Sequence, residues 1–300
     1  MEEQPAARAT SAGAVSPLFL GGIAGFAAGF TRGPLTARSL SPDDAGRALA
    51  AGLLAPDAEV VRLSQVHGRI ALTFGEPARE RRSGVLGTGD AALTCQPNVL
   101  LLVASADCVP IVLADPETGW IAAVHAGWRG VAARVLDAAL DALAARGVRL
   151  GNLFAAFGPS ISRDRYEVGP EVVAALRNAY REVGVPADAV RKGRADRHLV
   201  DVAAFNEAAL RARGIGAERI ATSGLCTAST PDLPSWRRDG AGAGRILTGI
   251  VRLCESAASG PLREEPGVRA PAAPSGARAL RGPSVGRRPR RPANPSTGEP

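Results

Sequence analysis

Aromatic side chains are scarce in this chain, at 4% of its 300 residues. Its apolar fraction, 46% and mostly Ala, Val and Leu, is still ample for a buried core. Lysine is nearly absent: Lys192 stands alone, so the positive charge is almost all arginine, a skew of the kind a GC-rich genome produces. Only three histidines occur, His67, His125 and His198. A multicopper centre needs many more imidazole ligands than that, so multicopper oxidation is excluded. The four cysteines, Cys95, Cys108, Cys226 and Cys254, form no CxxC pair and no framework of the small secreted type. A reduced compartment is the expectation. No run of about 20 apolar residues is present to cross a membrane. Glu2 and Glu3 stand where a signal peptide would carry basic residues, so a cytoplasmic protein is expected. Neither GxGxxG nor a Walker loop occurs, and no internal repeat.

The net charge of +7 is concentrated near the end of the chain, where Arg278, Arg281, Arg287, Arg288, Arg290 and Arg291 cluster. A basic tail can attract nucleic acid or anionic lipid. Its Pro, Gly, Ser and Arg content matches a solvated, disordered segment instead, so neither nucleic acid nor membrane is expected as a partner. The expected division is a disordered lead-in over 1–16, a folded catalytic domain over 17–256 and a disordered basic tail over 257–300.

Inside the folded part, short continuous apolar runs suit buried strands: Val99 to Ala104, Pro110 to Ala114, Trp120 to His125 and Phe154 to Phe157. Arg219 to Ser223 and Leu247 to Leu253 read as further strands. Helical spacing predicts helices over Gly130 to Arg146, Glu171 to Val183 and Val202 to Arg213. The mixture predicts an α/β or α+β fold with buried sheets.

Three soft-metal donors sit at ends of these runs. His67 lies in SQVHG, Cys108 in SADCVP between two buried strands, and His125 closes WIAAVH and opens HAGWRG. Cys with two His and one open position is an accepted catalytic zinc set. The same atoms also suit a cysteine hydrolase, with Cys108 as nucleophile and His125 as base. A third reading is a non-catalytic binding domain clamped by metal, with Cys226 a candidate fourth ligand. Arg129 follows His125 by four residues at a glycine-flanked helix entry, a setting suited to phosphate. Arg32, in FTRG, and Arg237, Arg238 and Arg245, in SWRRDGAGAGR, could grip anions in the same way.

QVHG, SADCVPIVLAD, AAVHAGWRG, GPSISRDRYEVGPEV, VDVAAFN and WRRDGAGAGR follow one another in an order that resembles the YfiH-like proteins. These are named laccase-domain or polyphenol oxidase proteins and, in other cases, purine nucleoside phosphorylases. The resemblance spans about Phe19 to Leu253. It implies an α/β fold, a single layered domain with mixed buried sheets flanked by helices, and a zinc site on His67, Cys108 and His125; copper, if bound, would not form a multicopper centre. It implies purine nucleosides and phosphate as partners: phosphorolysis of adenosine, inosine or methylthioadenosine, and hydrolytic deamination of adenosine. Some members are described as peptidoglycan-editing factors, which would use Cys108 and His125 as an amidase. Within this reading Arg129 and Arg32 would place phosphate, and Asp107 would orient a ligand or transfer a proton. The chain departs from the pattern at TRGPLTA, which lacks a double glycine, and at DLPSWRRDG. Both segments are expected to line the pocket and bear on substrate identity more than on the metal.

Removing the residues after about Ser256 is expected to leave folding and catalysis intact, because that segment cannot build a core. Soluble yield and turnover of the truncated protein check this; loss of soluble protein would move the domain boundary.

Overall fold

The computed structural model describes residues 14–75 and 84–254. The expected tail lies outside them. Two six-stranded sheets carry the fold. The first runs in the order β1 (Val15–Pro17), β2 (Phe26–Thr31), β15 (Ile246–Arg252), β7 (Val99–Ser105), β3 (Glu59–Ser64), β5 (Val85–Thr88). The second runs β14 (Ile220–Thr222), β10 (Phe154–Phe157), β8 (Val109–Ala114), β9 (Ile121–Ala126), β6 (Ala91–Thr94), β4 (Ala71–Thr73). A small third sheet joins β11 (Glu167–Val168), β13 (His198–Val200) and β12 (Val190–Lys192). Both large sheets mix parallel and antiparallel pairs.

The layers follow from which side chains bury together. One cluster takes Phe30, Val61, Leu101, Val103 and Ile250 from the first sheet and Ala92, Val112, Ile121 and Ala123 from the second, so the two sheets stack face to face. The alternate residues of the same strands point away. Leu100, Leu102, Leu247 and Val251 pack on Ala45, Leu49 and Ala50 of α1 (Pro42–Gly52). Ile111, Leu113, Leu93 and Val124 pack on α2 (Trp128–Ala132), α3 (Val135–Ala144), α4 (Pro170–Ala179) and α5 (Val202–Ala212). Strands covered on both faces explain why their sequences are continuously apolar rather than alternating. The last α-helix among the described residues is the short α6 (Trp236–Asp239).

Three details depart from the sequence reading. The helix expected over Gly130 to Arg146 is broken into α2 and α3, because Arg134 takes a left-handed conformation with φ of 63°. Its guanidinium stabilises the break by pairing with Asp137 and donating to Ala179 O at 3.2 Å. Second, α1 is missing from the sequence reading although Ala45, Leu49 and Ala50 bury at helical spacing; Ser41 caps it by accepting from Asp44 N at 3.1 Å, with Pro42 in its first turn. Third, β1 starts at Val15, inside the expected lead-in, and pairs Val15 with Thr31. The other predicted strands and helices lie within a few residues of their expected ends.

Topology positions the site. Strand β7 belongs to the first sheet and β8 to the second, so the three residues 106–108 between them cross from one sheet to the other at one end of the sandwich. The segment after β3, the end of β9 and the start of β6 reach the same end through the β3–β7 and β6–β9 pairings.

Leu113 is fully buried in β8 under the helical layer. Leu113→Ala should destabilise the fold by about 2–5 kcal/mol through lost burial and a cavity. Urea unfolding should show a lower midpoint.

Candidate active site

Cys108, His67 and His125 converge. Their donor atoms lie within 4.8 Å of one another, and the two imidazoles meet edge to face with centroids 4.9 Å apart. His125 is buried, Cys108 half-buried and His67 exposed, so the trio opens to solvent on the His67 side. A site with this exposure can admit a substrate.

Each donor is held by a different device. His125 sits in β9 opposite Pro110 of β8, on rigid paired backbone. Cys108 is set by Asp107, which takes a φ of 93° at the sheet crossing. The Asp107 carboxylate accepts from Thr227 Oγ1 at 2.6 Å and from Arg237 N at 2.7 Å, and its carbonyl accepts from Ile161 N at 3.0 Å. Asp107 is thus the pin that joins the crossing to two distant loops. His67 adopts a left-handed φ of 58°. The turn around it is pinned by Gln65, whose amide exchanges two hydrogen bonds with the backbone of Ala104 at 2.7 and 2.8 Å.

Asp90, which sequence reasoning missed, ties the arrangement together. It is fully buried just before β6. Its Oδ1 accepts from His67 N at 2.9 Å and from His125 Nδ1 at 2.9 Å. Its Oδ2 accepts from Gly68 N at 2.7 Å and Val66 N at 3.3 Å. A histidine that donates through Nδ1 presents Nε2 as its free ligand atom, the arrangement metal-binding histidines favour. In the sequence Asp90 is one acid before a short apolar run, and no local spacing links it to His67 or His125.

Gly127 completes the packing. A Cβ there would lie 2.7 Å from Cys108 Sγ and 3.3 Å from His67 Cδ2, so any other residue would push into the donors. The HAGWRG glycine is therefore explained by close approach to the trio.

The electrostatics follow this geometry. Burial works against an Asp90 charge, but hydrogen bonds from His125 and the Gly68 and His67 amides outweigh it and hold the carboxyl below its usual range. For Cys108, burial also opposes the thiolate; hydrogen bonds and charge from His125 and His67 prevail and bring it down to about 6. Burial pushes His125 down, while Asp90 and Cys108 pull it up more strongly, to about 9. The trio without metal is thus a thiolate beside a protonated imidazole.

The other expected residues are placed as follows. Arg129 is exposed on α2, with its guanidinium 4.4 Å from the Trp128 ring centroid. Arg32 is engaged elsewhere: its guanidinium grips Asp232 through two bonds of 2.8 and 3.0 Å. Cys226 is outside the trio and accepts from Ser162 N and Oγ at 3.3 and 3.1 Å. The departing segment TRGPLTA forms the 3-10 turn Gly33–Thr36, which borders an open cavity of about 320 Å3 with Asp232, Leu233 and Arg238; none of the trio lines it.

The crossing loops of this α/β sandwich thus bring together one thiol and two imidazoles that could hold a metal ion. The chain belongs to the family described as multi-copper polyphenol oxidoreductase laccase, which matches residues 43–253. It is 37% identical over 209 residues to a protein of Deinococcus radiodurans named purine nucleoside phosphorylase, covering 70% of this chain and 76% of that one. It is 38% identical over 164 residues to adenosine deaminase RL5 from an unknown prokaryotic organism, covering 54% and 62%. Among solved structures it resembles YlmD from Geobacillus stearothermophilus, with a TM-score of 0.66, 27% identity and coverage of 77% and 93%.

In metal-free protein, alkylation of Cys108 by iodoacetamide should hold its rate as pH falls to about 6 and decline only below. The sign follows from the lowered thiol: the thiolate persists where an ordinary cysteine, near 8.5, is protonated. Mass mapping of the Cys108 peptide across pH checks this; a midpoint above about 8 would overturn it.

Proposed function

We propose that the chain is a zinc-dependent purine nucleoside enzyme. It phosphorolyses adenosine, inosine or methylthioadenosine and also deaminates adenosine by hydrolysis. The observation that carries the reading is the convergence of Cys108, His67 and His125 within 4.8 Å on an open face of the sandwich. The donor set fits zinc: one thiolate, two imidazoles, and room for a fourth position. Relatives named purine nucleoside phosphorylase and adenosine deaminase support the substrate class. A laccase is excluded by the three histidines.

When bound, zinc supplies Lewis acidity. The chain's own residues do the rest. Asp90 fixes the His125 tautomer and the His67 turn. Asp107 orients Cys108 through the crossing loop. In phosphorolysis a phosphate oxygen bonds C1′ of the ribose as the C1′–N bond breaks; the electron pair leaves with the base, which gains the proton of hydrogen phosphate. We place that phosphate at Arg129 rather than Arg32, whose fork Asp232 already fills. In deamination water adds at C6 and ammonia leaves.

A second reading draws on the same thiol. A cysteine amidase of the peptidoglycan-editing kind would use the Cys108 thiolate as nucleophile and His125 as its proton carrier. A closed, purely structural metal clamp has less support, because Cys226 is held by Ser162 and His67 is exposed.

The deciding experiment incubates pure, metal-analysed protein with each nucleoside, with and without phosphate, and follows free base and ammonia. The expected protein carries about one zinc and releases base only with phosphate. Cys108→Ala should lose most of the zinc and drop turnover to background. Full turnover in that variant would sink the zinc and thiolate readings together. Nucleoside-inactive protein that cleaves amide substrates without zinc would favour the amidase.

A further inference from the structure

The two arginines of WRRDG serve different ends. Arg238 is fully engaged: it pairs with Asp239 and donates to the carbonyls of Thr227, Thr230 and Leu233. Arg237 has no carboxylate on its guanidinium among the described residues. Its backbone N–H holds Asp107 at 2.7 Å, one residue from Cys108, so Arg237 is anchored beside the trio. Its Nη1 donates to Glu167 O at 2.9 Å, and its guanidinium lies 4.9 Å from the Tyr166 ring centroid.

Tyr166 is half-buried, and its hydroxyl has no hydrogen-bond partner among the described residues. Burial pushes this phenol up to about 12, with the Cys108 charge adding to the rise; Arg237, Asp107 and Arg129 also act on it. It is therefore a neutral donor within electrostatic reach of the trio. Arg129, two residues beyond the glycine that packs on Cys108, likewise has no carboxylate partner among the described residues. Arg237 and Tyr166 thus contact each other beside Asp107, and Arg129 lies on the helix that follows Gly127, the glycine packed on Cys108. The nearby Asp107 pairs with neither guanidinium: its carboxylate accepts from Thr227 Oγ1 and from the Arg237 backbone N–H. Planar guanidinium forks recognise tetrahedral oxyanions through paired N–H donors.

We propose that Arg129, Arg237 and Tyr166 together form the seat for inorganic phosphate beside Cys108. The proposal rests on the phosphorolysis reading above and adds two residues to it. The position suits attack on a nucleoside whose reacting carbon lies over the trio.

The test uses the zinc-loaded full chain, with Tyr166→Phe and Arg237→Gln as variants. Tyr166→Phe keeps the ring under Arg237, and Arg237→Gln keeps the backbone N–H on Asp107. Inorganic phosphate is titrated by calorimetry, and base release from inosine is measured against phosphate concentration. Each variant should weaken phosphate affinity at least about tenfold, the loss of one hydrogen bond to a charged group. The phosphate KM should rise by the same factor, with kcat reduced less, and adenosine deamination should suffer less than phosphorolysis. Zinc content and circular dichroism should match the wild type. Unchanged phosphate affinity in both variants overturns the seat while leaving the phosphorolysis reading in place. Wild-type protein that binds phosphate through these residues yet releases no base supports the seat and overturns that reading. Wild-type protein that does not bind phosphate overturns both.

Discussion

A carboxylate sealed from water is costly unless every lone pair finds a donor. Asp90 meets that condition by accepting from three consecutive amides, Val66, His67 and Gly68, and from the His125 ring. The rest of the site depends on it. The left-handed turn at His67 is unfavourable for an ordinary residue, and the amides bound to Asp90 hold it there. The same oxygen that fixes the turn also fixes the imidazole in β9. One buried charge therefore sets two imidazoles from two sheets, and its pull on His125 in turn favours the Cys108 thiolate.

Much of this was legible in the sequence, for a definite physical reason. Strands β7, β8 and β9 are buried on both faces, so they read as unbroken apolar runs, and the chemical residues at their ends stand out. His67, Cys108 and His125 were visible in that way. Asp90 was not. Its meaning lies in contacts across 22 to 35 residues, and the short strand β6 after it gives little periodic signal. The helix α1 was hidden by its two glycines; Gly46 is there because its Cβ would meet Val60 Cγ1 at 2.7 Å. The break at Arg134 was hidden because the residues around it favour helix, and only the pairing of Arg134 with Asp137 and its position over the Tyr180 ring reveal it.

The arginines show the same limit. Arg32, Arg237, Arg238 and Arg245 look alike in sequence, each beside glycine or another arginine. In the fold they differ by what already occupies them. Arg32 and Arg238 hold carboxylates and lock loops; Arg245 donates to the carbonyls of Ala243 and Gly244. Arg129 and Arg237 stack on aromatic rings and pair with no carboxylate among the described residues, although Arg237 donates to the Glu167 carbonyl. What each guanidinium is paired with is a tertiary fact that composition cannot report.

The placement of the trio at the sheet crossing has a thermodynamic side. The three donors come from the segment after β3, the loop joining β7 to β8 and the end of β9, so they belong to both sheets and are brought together only in the folded chain. An ion held by all three is then a cross-link between the layers, bound by the native state and only weakly by the unfolded chain. Mass action converts such occupancy into resistance to unfolding, about 2.7 kcal/mol when free ion stands about 100-fold above its Kd. On the zinc reading, metal supply would govern how well the fold resists unfolding as well as turnover, and a cell short of the ion would hold fewer folded copies rather than a stock of idle ones.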